Sequence, residues 1–247
     1  MGRRNQDVRH GVGRWRWHWA TLAAVLLGGC APQAATEQGR AIYSVYNLFM
    51  VAAAIVFVVV AGLVVWSVLR YRDDGSPGEP RQTHGHNVIE LLWTVIPLLI
   101  VCVLLVFSFR AQDKVNRQSA NPPVTVRVTG FQWQWRFDYQ GADVHVIGVR
   151  GRPAEMVIPV GQPVHVRLTS ADVQHSFYVP KFLFKRDAIP GRINDFDLTV
   201  KQAGTYQGVC AFICGLAHSE MAFRVRAVPP DEFARWLREA SAPAAGG

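Results

Sequence analysis

Apolar positions follow three rhythms along this chain. A short apolar run, Ala20 to Leu27, follows an arginine-rich start, and two long stretches, residues 41 to 69 and 91 to 109, carry no charged side chain. Within the first, Phe49 to Leu69 is a 21-residue run rich in Val and Ala, and Leu91 to Phe109 is a second run of 19. At about 1.5 Å per residue, each matches a hydrocarbon layer of about 30 Å. Neither run has a polar face, so membrane spans are predicted rather than helices of a soluble core. Pro97 lies in the second run, where a spanning helix tolerates it because neighbouring groups re-satisfy the freed carbonyl. From about Asn121 the rhythm changes to period two. Thr125–Thr129, Val144–Ile147, Pro163–Leu168 and Ala222–Val228 alternate apolar with polar residues. Gly141, Gly151, Pro153, Gly161, Pro163, Pro190, Gly191 and Gly204 punctuate them. Many short strands at this spacing predict an all-β sandwich. One short helix, Asp231 to Ala240, closes the pattern before an Ala/Gly/Pro tail.

Ala20 to Leu27 is too short to span a bilayer and suits the apolar region of an export signal. It leads into Leu27-Gly-Gly-Cys30, small residues before a cysteine, as a bacterial lipoprotein-processing site requires. Cleavage there leaves Cys30 at the new N-terminus, available for lipidation; an ordinary signal with an incidental cysteine is the alternative. The predicted organisation is therefore a lipoprotein-type signal peptide over 1–29 and a two-helix hairpin over 41–110. An exported domain follows over 121–229, then a short helix and tail over 230–247. An outside N-terminus makes the loop Arg70 to His86 cytoplasmic and returns the chain outward after Phe109. Arg70, Arg72 and Arg81 lie in that loop, but Arg110, Lys114 and Arg117 flank the other side. Positive charge is thus a weak witness to orientation.

With 247 residues, half hydrophobic and 18% charged, the chain is neither disordered nor a multidomain catalyst. About 110 residues remain for one modest core once the leader and spans are set aside. The net charge of +8 owes half to the leader, where five arginines face Asp7. No basic stripe accompanies the rest, so nucleic acid is not a predicted partner. Four cysteines are too few for a disulfide scaffold.

Candidate chemistry concentrates in Cys210-Ala-Phe-Ile-Cys214-Gly-Leu-Ala-His218-Ser-Glu-Met221. Two thiols, an imidazole and a thioether in one inter-strand loop form a soft donor set that selects copper over hard cations. A second imidazole can come from His175, which begins another predicted strand. A disulfide between Cys210 and Cys214 and a structural zinc site are the alternatives; zinc pairs usually space as CxxC and leave Met221 surplus. A mononuclear blue-copper site uses one cysteine. Two cysteines, two histidines and one methionine suit a pair of coppers bridged by both thiolates. Elsewhere, Cys102 reads as a packing residue, His145 and His165 as strand residues without neighbouring donors, and His84 and His86 as solvated.

Together with Glu90-Leu-Leu-Trp93-Thr-Val-Ile-Pro97, Gly130-Phe-Gln-Trp133-Gln-Trp135-Arg-Phe-Asp-Tyr139 and Lys185-Arg-Asp187-Ala-Ile-Pro190-Gly-Arg192, this loop resembles subunit II of bacterial cytochrome c oxidases of the haem–copper family. The resemblance implies a membrane-anchored α+β chain, a transmembrane hairpin followed by an exported cupredoxin-like sandwich, in the plasma membrane. It implies a dinuclear CuA centre with Cys210 and Cys214 bridging, His175 and His218 terminal, and Met221 and the Phe212 carbonyl as weak ligands. Phe212 stands where the family commonly has glutamate, so the usual magnesium shared with subunit I lacks its carboxylate here. The resemblance also makes Trp133 the residue through which electrons arrive, with Trp135 a core aromatic. Glu90 becomes the mouth of a proton path, with a solvated interfacial glutamate as the rival. Asp187 and Arg192 face subunit I, with a surface ion pair as theirs. The implied partners are subunit I, other oxidase subunits, and cytochrome c or a membrane-bound cytochrome donor. Asp138 and Asp172 are the carboxylates near Trp133 on which a basic donor could dock. Twelve Lys/Arg against eight Asp/Glu between Asn121 and Pro229 instead predict an acidic or membrane-tethered donor.

Overall fold

The computed structural model describes residues 34–72, 82 and 84–242. The leader with Cys30, most of the loop between the spans and the last five residues lie outside them. Two long helices come first, α1 (Glu37–Arg70) and α2 (Asn87–Asn116). Both contain apolar windows, of mean hydropathy 3.1 and 2.8, that are wholly unburied by the rest of the chain. A helix apolar all round and covered by nothing of its own is built for lipid. Each starts on a side-chain cap. Thr36 accepts from the Gly39 N–H at 2.9 Å, and the His86 ring from the Ile89 N–H at 3.5 Å.

Both helices outrun the predicted spans, α1 by three turns at its start and α2 by nearly two at its end. The uncharged runs report only the lipid-facing part. Beyond it the helices continue, and the start of α1 is buried against the sandwich at Gln38 and Gly39, which hydropathy does not mark.

Ten strands follow: β1 (Val124–Phe131), β2 (Gln134–Tyr139), β3 (Val144–Ile147), β4 (Ala154–Pro159), β5 (Val164–Ser170), β6 (His175–Val179), β7 (Phe184–Ala188), β8 (Asn194–Leu198), β9 (Gly204–Cys210) and β10 (Ala222–Val228). They form two five-stranded sheets, ordered β3-β2-β1-β5-β8 and β4-β10-β9-β6-β7, a cupredoxin-like sandwich. The pairs β1/β5 and β4/β10 are parallel; the others are antiparallel. Period-two patterning supplies the core. Val126 and Val128 of β1, Trp135 and Phe137 of β2, and Val164, Val166 and Leu168 of β5 all point inward and are fully buried. Phe177 and Phe223 stack at 4.4 Å between the sheets, and Trp135 meets both edge-on. The closing helix α3 (Pro230–Ser241) packs Phe233 and Trp236 on Tyr139. The Tyr139 hydroxyl donates to the Val157 carbonyl and accepts from its N–H.

A clamp joins the first helix to the sandwich. Ala35 donates to the Lys181 carbonyl at 2.9 Å and accepts from Lys201 at 3.0 Å, while Glu37 donates to Thr199 at 3.0 Å. Thr36 bridges Val200, and its hydroxyl also donates to the Phe182 carbonyl. The Gln38 side chain accepts from the Thr199 N–H.

Candidate metal centre

Strand register assembles the site. Phe177 of β6 lies opposite Cys210, the last residue of β9. His175 is two residues earlier on the same inner face, so its ring passes beyond the end of β9 and beneath the loop between β9 and β10. The Cys210 N–H donates to the Met221 carbonyl, and Ala211 to that of Ser176, both at 3.0 Å. These bonds pinch the loop closed at its base and pin it to β6.

Inside, the donors converge. The sulfurs of Cys210 and Cys214 are 3.9 Å apart. His175 Nδ1 lies 3.9 Å from Cys210 Sγ, and His218 Nδ1 3.5 Å from Cys214 Sγ. Met221 Sδ is 3.7 Å from Cys214 Sγ, and the Phe212 carbonyl 3.3 Å from Cys210 Sγ. His175, Cys210, Cys214 and Met221 are buried. Both thiols are free, so no disulfide joins them. Bonds of about 2.0 Å to nitrogen and 2.3 Å to sulfur bring two donors of one metal to such separations. The residues fit a soft metal with thiolate, imidazole and thioether ligands.

The thiols titrate as a unit. Burial alone raises both; hydrogen bonding by the His175 ring and by the Phe212 and Ser176 backbone nonetheless brings Cys210 down to about 6. Burial and then the neighbouring Cys210 charge push Cys214 up to about 12. One proton leaves readily, and the second needs a cation to displace it.

Asp172 organises the surroundings. It accepts from His175 Nε2 at 2.8 Å and, through its other oxygen, from the Gln132 N–H at 2.7 Å. Partial burial raises its pKa, but the bonds from His175, Gln132 and Val173 outweigh that and hold it below the usual range. Burial lowers the His175 pKa, and Cys210 and Asp172 more than reverse it. With Nε2 engaged by the carboxylate, Nδ1 is the nitrogen that faces the sulfurs.

The Gln132 side chain donates to the Cys214 carbonyl at 2.7 Å. The Trp133 indole packs on Gly215: a Cβ built there falls 3.1 Å from Trp133 Nε1, on a residue whose φ is +128°. Gly215 is therefore required by conformation and by contact together. Trp135 lies in the core, edge-on to the His175 ring at 6.1 Å. Gln132, Asp172 and Gly215 complete the site, and the sequence reading gave none of them this part. Asp172 lies only three residues before His175, but the other end of its bridge is 40 residues away.

The remaining predicted positions are separate from this cluster. Glu90 sits in the first turn of α2, where its carboxylate accepts from the His86 N–H at 3.2 Å. Asp187 of β7 accepts from Ser176 Oγ at 2.7 Å and from Gln174. Arg192 is exposed in the turn after Pro190, and no ion pair joins it to Asp187. The two carboxylates offered for docking are otherwise committed. Asp138 is bound by Arg136 and His145, each at 2.6 Å, and Asp172 by His175. The rim of the loop is instead apolar, with Leu216 99% and Ile213 83% exposed beside half-exposed Phe212.

A membrane-anchored sandwich that gathers two thiols, two imidazoles and a thioether beneath one loop defines a class: cupredoxin-like domains with a soft-metal donor set. The match to known families is specific. Residues 25–111 match the transmembrane domain of cytochrome c oxidase subunit II, and residues 147–228 its periplasmic domain. A probable cytochrome c oxidase subunit 2 from Streptomyces avermitilis is 34% identical over 84% of this chain and 77% of the relative. The Corynebacterium diphtheriae subunit is 30% identical over 86% and 76%. The periplasmic domain of subunit II (CoxB) of Bradyrhizobium japonicum aligns at 32% identity over 50% of this chain and 96% of that one, with a TM-score of 0.47. The chain belongs to the cytochrome c oxidase subunit II family. It is a component of a cytochrome c oxidase, with two helices able to span a membrane and an extracytoplasmic domain.

Proposed function

We propose that this subunit accepts single electrons at a dinuclear CuA centre and passes them to the haem of subunit I, where O2 is reduced to water with proton pumping. The convergence of five side-chain donors at separations under 4 Å carries the reading. Cys210 and Cys214 would hold the pair through their thiolates, with His175 and His218 as imidazole ligands and Met221 and the Phe212 carbonyl as weaker donors. A copper pair supplies reversible one-electron storage there. The protein's part is positional. Strand ends hold His175 and Cys210, the pinched loop limits movement of the other donors, and burial excludes water from the sulfurs.

Trp133 is the route in, because its ring lies on Gly215, the residue after Cys214. Phe212 offers no carboxylate, so no magnesium of the usual kind is shared with subunit I at this position. Asp187 and Arg192 face subunit I, and Glu90 stands at the cytoplasmic mouth of a proton path. Cys30 carries the lipid anchor. The donor is a membrane-tethered or acidic cytochrome. The carboxylates nearest Trp133 are already bound within the chain, and the exposed tip of the loop is apolar, which leaves little to steer a basic partner.

Metal analysis and EPR of the purified full chain test the reading. Two coppers per chain sharing one unpaired electron are expected, and His175→Ala or Cys214→Ser abolishes that signal. One copper, zinc or no metal refutes it. Fast, steeply salt-dependent reduction by a basic soluble cytochrome refutes the donor assignment.

A further inference from the structure

Where the two helices leave the membrane, the cations are on the unexpected side. Arg110, Lys114 and Arg117 follow one another at spacings of four and three, so they share one face of α2. Ala41, Ser44 and Val45, at positions i, i+3 and i+4, share one face of α1. Two connected cavities lie along these faces. The upper, of about 880 Å³, is lined in part by Arg40, Ser44, Lys114, Arg117 and Ser119. The lower, of about 410 Å³, is lined by Ala41, Val45, Phe107 and Ala111 together with the charged Arg110, Asp113, Lys114 and Arg117. Lys114 and Arg117 line both cavities and Arg110 joins them in the second, so the slot is cationic along its length.

Three carboxylates also line it, and two are engaged. Glu37 pairs with Lys201 at 2.9 Å, and Asp197 accepts from the Ser119 N–H and lies 2.8 Å from His165. Asp113 is the third. Arg40, Arg110, Lys114 and Arg117 form no ion pair among the described residues, which leaves a positive excess. Depth agrees with charge. The uncharged run of α2 ends at Phe109, so Lys114 and Arg117 stand about 7 and 12 Å above the hydrocarbon edge, at and just beyond headgroup level.

We propose that this slot binds the phosphate of an anionic phospholipid of the outer leaflet, with its acyl chains leaving past Phe107 toward the hydrocarbon. Cations retained on the side that membrane topology disfavours then have a ligand. The site is independent of the metal centre.

Native mass spectrometry of the full chain, released from phosphatidylcholine nanodiscs doped with phosphatidylglycerol, tests this. One phosphatidylglycerol is retained per chain in preference to phosphatidylcholine. Lys114→Gln with Arg117→Gln weakens retention roughly thirtyfold, the loss expected for two interfacial cations. Arg224→Gln with Arg238→Gln, away from the slot, leaves it unchanged. Equal retention of the two lipids by the wild-type chain overturns the proposal without reference to any variant. So does unchanged retention in the slot variant, or displacement by millimolar inorganic phosphate. Phosphatidylglycerol held by the isolated subunit but absent from the intact oxidase also overturns it, because an acidic partner surface then occupies the slot.

Discussion

Removing the Asp172 carboxylate should loosen the candidate metal centre from outside. In Asp172→Ala, His175 Nε2 and the Gln132 N–H lose their acceptors. Because the imidazole is fully buried, water cannot replace the lost partner there, and a buried donor left unpaired costs about 1–3 kcal/mol. The Gln132 N–H is at the surface and recovers most of its loss from solvent. The net cost is therefore about 2 kcal/mol, which for a domain of about 110 residues lowers the melting temperature by roughly 8–16 °C. Copper affinity should fall about 10–100-fold, as for other groups that orient a liganding imidazole. Asp172→Asn keeps one acceptor oxygen and should show roughly half of each effect. The acid limb supplies a check on sign. The Asp172 pKa is depressed in the folded chain, so its contribution is present above the unfolded value of about 3.9 and disappears as pH falls through the folded value. The melting temperatures of wild type and Asp172→Ala should converge in that window. Tryptophan-fluorescence melts and competitive copper titration read both quantities. Unchanged melting together with unchanged affinity would show that His175 is positioned by its strand alone.

Thiolate absorbance of the copper-free chain should gain one thiolate near pH 6 and hold a second proton to about pH 12. Cys210→Ser should remove the first step and lower the second, since the Cys210 charge is then gone; two independent steps near the ordinary thiol value would contradict this. Gly215→Ala places a methyl against Trp133 on a backbone that disfavours it. It should slow reduction of the metal centre by its donor while copper stoichiometry stays normal, and an unaffected rate would remove Trp133 from the route. Tyr139→Phe leaves the buried Val157 N–H and carbonyl without their shared hydroxyl. It should cost about 2–3 kcal/mol by denaturant unfolding, and a loss below about 0.5 kcal/mol would mean that the edge relaxes to re-pair.

Local pattern revealed whatever local pattern encodes. Strands β3 and β10 were legible to the residue, because both alternate cleanly between a buried and an exposed face. Strand β4 was not, because four of its six residues are buried in a row under the aromatic side chains of α3, and continuous burial erases period two. Strand β8, Asn194-Asp-Phe-Asp-Leu198, reads as polar because Asp197, on the face opposite the inward Phe196 and Leu198, is buried against Ser119 and His165. At the metal centre, the sequence displayed the sulfurs and His218 within one short segment. His175 was placed by resemblance and by its position at a strand start. The Asp172 bridge was illegible because its far partner is a backbone N–H, which leaves no trace in residue identity.

The clamp at Ala34–Gln38 shows the same limit and explains how the membrane and sandwich parts act as one body. Most of its bonds are backbone to backbone, so almost any sequence could form them. Their arrangement still couples two functions. Thr36 is both the cap that starts α1 and the bridge to Val200, so the axis of the first span is set by the sandwich edge. Its other anchors, Lys181 and Phe182, lie in the turn that follows β6, and β6 begins at His175. One strand, rising about 15 Å, therefore separates the fixed end of the membrane anchor from a candidate metal ligand. A flexible linker would let the sandwich tilt and change the distance over which, under the proposed function, an electron passes to the partner subunit. Here any such tilt must first break hydrogen bonds at Ala35, Thr36, Glu37 and Gln38. The placement of the candidate metal ligands relative to the start of α1 is thus a property of this chain's own fold.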